Sequence, residues 1–193
     1  QWLFIADLHL GKATVLRDSG LGVPEGADEE CLENITQLAR QTGATRIVVL
    51  GDIFHAKSRL TQDVATRFRD WRKKQPSLKW SIVPGNHDRR IPLSEWMPDA
   101  EVLSEGSRIG PWELRHHPPE TDSTLPTLCG HLHPGITIGP SRQAKLRLPC
   151  FWLRRGALVL PAFGVFTGLH SIRREKGDSV WVIANRLVVE IPG

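Results

Sequence analysis

Ile47-Val48-Val49-Leu50-Gly51-Asp52 decides the fold: an unbroken apolar run, too short for a helix, stops abruptly at a glycine and a carboxylate. A run of this kind is a strand buried on both faces, as in a parallel sheet. The same arrangement recurs on either side. Residues 2–6 are apolar and end at Asp7, and Lys79–Val83 leads into Pro84-Gly85-Asn86. Between these runs lie two helical patterns. One has apolar Cys31, Leu32, Ile35, Leu38 and Ala39, with Asp28 as its expected cap and Gly43 closing it. The other is capped by Thr61, runs to about Lys74, and carries Val64, Phe68 and Trp71 on one face. The order β-loop-α-β-α-β implies a mostly parallel sheet with right-handed crossovers. Residues 11–26 read as a long loop.

After Asp99 the texture changes to short β-rich runs at 102–103, 112–115, Thr127–Cys129, 146–153, 158–160 and 179–191. The last reads as a hairpin turning at Ala184-Asn185. A second sheet packed on the first accounts for this half. The expectation is an α/β chain with two packed mixed sheets flanked by helices, residues 1–193 forming one domain. The chain opens on Gln1, already inside a strand pattern, so a native N-terminal segment is expected to precede it.

With 193 residues and 40% hydrophobic content the chain buries a core of its own. No apolar run approaches the length that spans a bilayer, so a soluble protein is expected. Three cysteines, Cys31, Cys129 and Cys150, cannot all pair, which suggests reduced thiols and a cytoplasmic home. Lys and Arg exceed Asp and Glu by 25 to 21, a balance that permits a polyanionic substrate.

Each strand-like run delivers a polar island: Asp7-x-His9, Gly51-Asp52, Gly85-Asn86-His87-Asp88, His116-His117-Pro118 and Gly130-His131-x-His133. Strand ends are where an α/β scaffold gathers groups distant in sequence. Alternation along an extended segment puts Asp7 and His9 on one side, and likewise His131 and His133. Asp52, with two oxygens, can bridge two cations. Asn86 offers a neutral oxygen suited to Mn²⁺, Fe or Mg²⁺. His87 lies beside the metals and could donate a proton or hydrogen bond to phosphate, with Asp88 holding its tautomer. The His116-His117 pair should give one ligand. His116 is first past the strand, and His117 is the alternative. Singly, each island is also explicable as a capping Asp, a turn Asn or a surface His. Together they form a ligand set for two transition metals, with no Cys to suggest structural zinc. Roughly 3.5–4 Å apart, two such ions activate water and offset phosphate charge.

The pattern D-x-H, G-D, G-N-H-D, H, G-H-x-H from Asp7 to His133 resembles the calcineurin-like metallophosphoesterase superfamily. The resemblance implies a β-sandwich flanked by helices. It places one metal on Asp7, His9, Asp52 and His133, and the other on Asp52, Asn86, His116 and His131. His87 takes the place of the family's transition-state histidine. A narrower likeness rests on Asp7-Leu8-His9-Leu10-Gly11-Lys12-Ala13, Val23-Pro24-Glu25-Gly26, Gly130-His131-Leu132-His133-Pro134, Leu148-Pro149-Cys150-Phe151-Trp152 and Leu160-Pro161-Ala162-Phe163-Gly164-x-Phe166-Thr167-Gly168. These stretches look like bacterial ligase-associated DNA-repair phosphoesterases. That likeness implies Mn²⁺, a DNA substrate and association with a DNA ligase, a helicase and an exonuclease. Gly51-Asp52-Ile53-Phe54-His55 resembles the nuclease branch, where a His after the bridging Asp lies near the scissile phosphate.

The expectation is a Mn²⁺-dependent DNA endonuclease in which metal-bound hydroxide attacks the phosphodiester. The alternatives are a small-molecule phosphodiesterase or phosphatase with the same chemistry, and a non-catalytic scaffold. Among many basic residues, Lys12, Arg17 and Arg89 adjoin metal motifs and are the expected phosphate contacts.

Overall fold

Which face of each element is apolar sets the layering. The computed structural model describes residues 1–55, 62–139 and 145–192. Its first half contains β1 (Trp2–Ile5), α1 (Lys12–Asp18), α2 (Ala27–Thr42), β2 (Arg46–Leu50), α3 (Gln62–Lys73), β3 (Lys79–Val83), α4 (Leu93–Trp96) and β4 (Glu101–Val102). Strands follow: β5 (Ser107–Ile109), β6 (Trp112–Leu114), β7 (Thr127–Cys129), β8 (Pro134–Ile138), β9 (Leu146–Arg154), β10 (Ala157–Val159), β11 (His170–Ser171), β12 (Ser179–Ala184) and β13 (Leu187–Ile191).

β1, β2, β3 and β4 make one parallel sheet in that order. Its alternating side chains feed two cores. Ile5, Ile47, Val49, Trp80 and Ile82 meet Cys31, Leu32 and Ile35 of α2 and Val64 and Phe68 of α3. On the opposite face Ala6, Val48, Leu50 and Val83 meet Leu114, Leu128 and Leu160 of the second layer. Each Val, Leu, Ile or Phe among them contributes about 1.5–3 kcal/mol when fully buried, so β2, buried at all but its first residue, is the spine of both cores.

The second sheet runs β11-β8-β9-β10-β7-β6-β5, with the β12–β13 hairpin joined through β9. It is mixed: β6, β7 and β10 are mutually parallel, while β9 is antiparallel to β8, β10 and β12. Cys129, Cys150, Trp152, Val159, Val180 and Val182 form a third core. All three cysteines are buried free thiols, and burial pushes Cys31 and Cys129 up to about 12. No helix among the described residues is long and apolar enough to cross a membrane.

Two packed sheets with helices are therefore what the chain forms, with local corrections. The expected loop 11–26 contains α1. Gly11, at φ 87°, turns the chain into Lys-Ala-Thr-Val-Leu-Arg, a run with good helix formers that the flanking glycines mask. Asp28 is not the cap of α2; Gly26 precedes the helix, and Asp28 accepts the Gly11 N–H across the loop at 3.0 Å. Gly43 does close α2, in the left-handed conformation. Thr61 lies outside the described residues. Glu101–Val102 joins the first sheet rather than the second. The last hairpin turns at Asn185-Arg186, both at positive φ, because Ala184 still pairs with Leu187.

Candidate metal centre

Parallel pairing brings the polar islands to one end of the sandwich. Asp7, Asp52 and Asn86 follow β1, β2 and β3, while His116 and His131 follow β6 and β7. The loops stay zipped beyond the strands. Asp7 N–H donates to Gly51 O at 3.0 Å, His9 N–H to Asp52 O at 2.9 Å, and Gly130 N–H to His116 O at 3.0 Å.

Alternation along a strand is not what aligns the ligand pairs. Asp7, His9, Asp52, His131 and His133 all adopt left-handed backbone, with φ of 56°, 47°, 53°, 70° and 47°. The described chain has only eight non-glycine residues at positive φ, and these are five of them. Such a conformation costs about 1–3 kcal/mol per residue and collects at functional sites. Here the loops coil immediately after each strand, so both members of a pair reach the same point. Neighbouring glycines make room: a Cβ on Gly51 would overlap the His116 ring, and one on Gly85 would overlap the Asp52 carboxylate.

The donor atoms form a chain. Asp7 gives one oxygen to the His131 N–H at 2.8 Å, and its other oxygen, Oδ1, is buried with no hydrogen-bond partner among the described residues. That Oδ1 lies 3.5 Å from His133 Nε2, which is 3.2 Å from His9 Nε2. Asp52 spends Oδ1 on the His87 N–H at 2.9 Å. Its Oδ2 is left between the groups, 3.8 Å from His9 Nε2 and 3.6 Å from His116 Nε2. His116 Nε2 in turn sits 3.0 Å from Asn86 Oδ1 and 3.1 Å from His131 Nδ1.

Proton positions sharpen this. His116 Nδ1 faces the Leu50 carbonyl at 2.9 Å and donates to it, which leaves Nε2 directed at the other donors. Burial, aided by His133, Lys12 and other neighbours, holds His9 down at about 2, so it is neutral. Two carboxylates, an amide oxygen and four imidazole nitrogens this close together favour cations among them. The residues fit two ions: Asp7, His9, His133 and Asp52 would hold one, and Asp52, Asn86, His116 and His131 the other. All the donors are nitrogen or oxygen, which suits borderline and hard divalent metals.

Residues 2–147 match the family model for calcineurin-like phosphoesterases. The chain belongs to that family. The crystal structure of Pseudomonas putida nuclease MPE is similar at 30% identity and a TM-score of 0.80, over 98% of this chain and 87% of that one. The E. coli phosphoesterase Yfce is a distant likeness, at 15% identity and a TM-score of 0.46 over 95% of this chain and 88% of that one. No curated protein matches the chain.

This phosphoesterase arranges its remaining polar residues as follows. His87 and His55 stack at 5.0 Å between ring centroids, and the His9 ring meets both edge-on. His117 pairs instead with Glu105, at 2.9 Å from Nδ1, and is partly exposed, whereas His116 is fully buried among the donors. Asp88 does not orient His87. Its carboxylate accepts the backbone N–H groups of Asp52 at 2.7 Å, Gly85 at 2.9 Å and Ile53 at 3.1 Å. Burial pushes this carboxyl up to about 6 against the pull of those donors. Asp88 thus locks the Asp52 and Gly85 loops together.

The expected phosphate contacts divide. Arg89 is exposed on the turn after His87. Arg17 falls in the last turn of α1 and bonds Pro24 O and Thr14 Oγ1, within its own loop. Lys12 is half-buried and donates to Thr167 O at 2.9 Å. Two contributors were given no role by the sequence. Glu105 also accepts the N–H of His116 and of His117, and Gly164 packs directly on Leu8. Only the glycine itself hinted at the second; nothing local marked the first.

Proposed function

We propose that this phosphoesterase cuts DNA as an endonuclease in DNA repair, working with two Mn²⁺ ions. The observation that carries the metal reading is Asp52 Oδ2, one carboxylate oxygen within 4 Å of nitrogens from both donor groups. The DNA reading is supported by the likeness to a nuclease over nearly the whole chain and by the basic balance of 25 Lys and Arg against 21 Asp and Glu. The same reading associates the enzyme with a DNA ligase, a helicase and an exonuclease.

Two divalent ions bound there would acidify a water and offset charge on the phosphate. The protein supplies the rest. Asp88 keeps the Asp52 and Gly85 loops in register. His87, stacked on His55, offers an imidazole N–H to a phosphate oxygen or to the departing alkoxide. Arg89 supplies a cation beside it for backbone phosphate without base readout.

Replacing His87 with Gln is expected to lower turnover about 10²-fold or more while metal content by elemental analysis stays at the wild-type value. Unchanged turnover would remove His87 from the chemistry. For the substrate, supercoiled plasmid should be nicked with Mn²⁺, with DNA affinity falling steeply as salt rises. Preferential turnover of a cyclic nucleotide or nitrophenyl phosphodiester, with plasmid intact, would move the assignment to a small-molecule phosphodiesterase.

A further inference from the structure

We propose that residues 163–170 form a strap that fixes the spacing between the Asp7 and His133 segments, and that Lys12 pins this strap as a positioning residue for the ion held by Asp7, His9 and His133. The proposal rests on the metal centre described above. At one end, Phe163 N–H donates to Ala6 O at 2.9 Å and Gly164 N–H to Asp7 O at 3.1 Å. The approach is so close that a Cβ on Gly164 would overlap the Leu8 carbonyl. At the other end, His170 N–H donates to His133 O at 2.9 Å. One short stretch therefore holds the backbone of two ligand residues that come from different sheets.

The middle of the strap is fixed twice. Thr167 Oγ1 donates to Gly164 O at 3.0 Å, closing a turn, and Thr167 O accepts the Lys12 ammonium at 2.9 Å. Lys12 opens α1, directly after the Asp7-Leu8-His9 loop, so the bond returns the strap to the ligand loop it supports. Burying half of a lysine to hold one carbonyl is costly unless the geometry it fixes matters. The strap lies wholly beyond residue 147, where the family match ends.

Charge alone predicts the opposite effect. The Lys12 ammonium interacts with the Asp52 and Asp7 carboxylates. Removing its positive charge should by itself draw cations in more tightly. If Lys12 positions the ligands, removing it weakens the ion instead.

The test is Mn²⁺ titration of the metal-free protein by calorimetry and electron paramagnetic resonance, for wild type, Lys12→Met, Lys12→Arg and Thr167→Val. Wild type should bind two ions. Lys12→Met should weaken one of them about tenfold or more and leave the other unchanged, with Lys12→Arg restoring most of the loss. In a His133→Ala background the Lys12→Met effect should vanish; in a His116→Ala background it should persist. Equal or tighter binding of both ions by Lys12→Met, or equal weakening of both, overturns the strap while the metal centre stands. If metal-free Lys12→Met fails to fold, Thr167→Val decides: selective weakening of one ion supports the strap, and wild-type binding overturns it. Wild type binding fewer than two ions overturns the metal centre and the strap together.

Discussion

Asp52→Asn should lower phosphodiester turnover on the order of 10³-fold, equivalent to about 4 kcal/mol of transition-state stabilisation, and reduce bound Mn²⁺ from two ions toward one. The substitution barely changes shape. An amide oxygen can still accept the His87 N–H that Asp52 Oδ1 accepts at 2.9 Å. What changes is the oxygen between the donor groups, 3.8 Å from His9 Nε2 and 3.6 Å from His116 Nε2. As an amide nitrogen it would carry protons toward both positions; even as an amide oxygen it would lack the negative charge that offsets two dications. Turnover and metal content should fall together. Wild-type turnover with one ion lost would show that the shared oxygen is not needed for chemistry, and two ions with activity intact would remove the bridge altogether.

Gly51→Ala should damage the scaffold before the chemistry. Gly51 has φ 84°, which an alanine tolerates at about 1–2 kcal/mol. Its new methyl would also overlap the buried His116 ring and lie 2.9 Å from the Gly85 backbone. His116 cannot retreat, because its Nδ1 is bonded to Leu50 O and the residue is fully buried. Overpacking of this kind costs about 1–3 kcal/mol. The sum, about 3 kcal/mol, corresponds to a fall of about 10 °C in the thermal midpoint for a chain of this size. A calorimetric scan of the metal-free protein reads it directly. A midpoint within about 2 °C of wild type would mean that the His116 ring has somewhere to go, contrary to the packing described.

The legible parts of this protein were those in which one short run sets both a strand and its end. Ile47-Val48-Val49-Leu50 must be buried on both faces, and the carboxylate that follows must leave the sheet where its neighbours do. Parallel pairing then does the assembly, so the donor set could be gathered from sequence. The backbone carrying it could not. Asp-x-His reads as extended by period, but Asp7 and His9 are left-handed because their N–H groups pair with Gly51 and Asp52 of the adjacent loop. Asp88 looked like a partner for the imidazole beside it in sequence, yet its oxygens serve N–H groups up to 36 residues away. Helix α1 was hidden by flanking glycines that are turn signals, one of which, Gly11, also starts it. The links from Phe163, Gly164 and His170 run backbone to backbone, where side-chain identity leaves almost no trace.

The order in which the chain emerges during synthesis gives those late links a consequence. All seven donor residues leave the ribosome by His133, well before β10, which pairs with β7 beside His131, and before Gly164 and His170, which bond Asp7 and His133. The nascent polypeptide carries every side chain proposed to bind metal while lacking the backbone bonds from residues 157–170 that join their segments. The proposed donor set is thus expected to reach its final spacing only once residues 157–170 have been made.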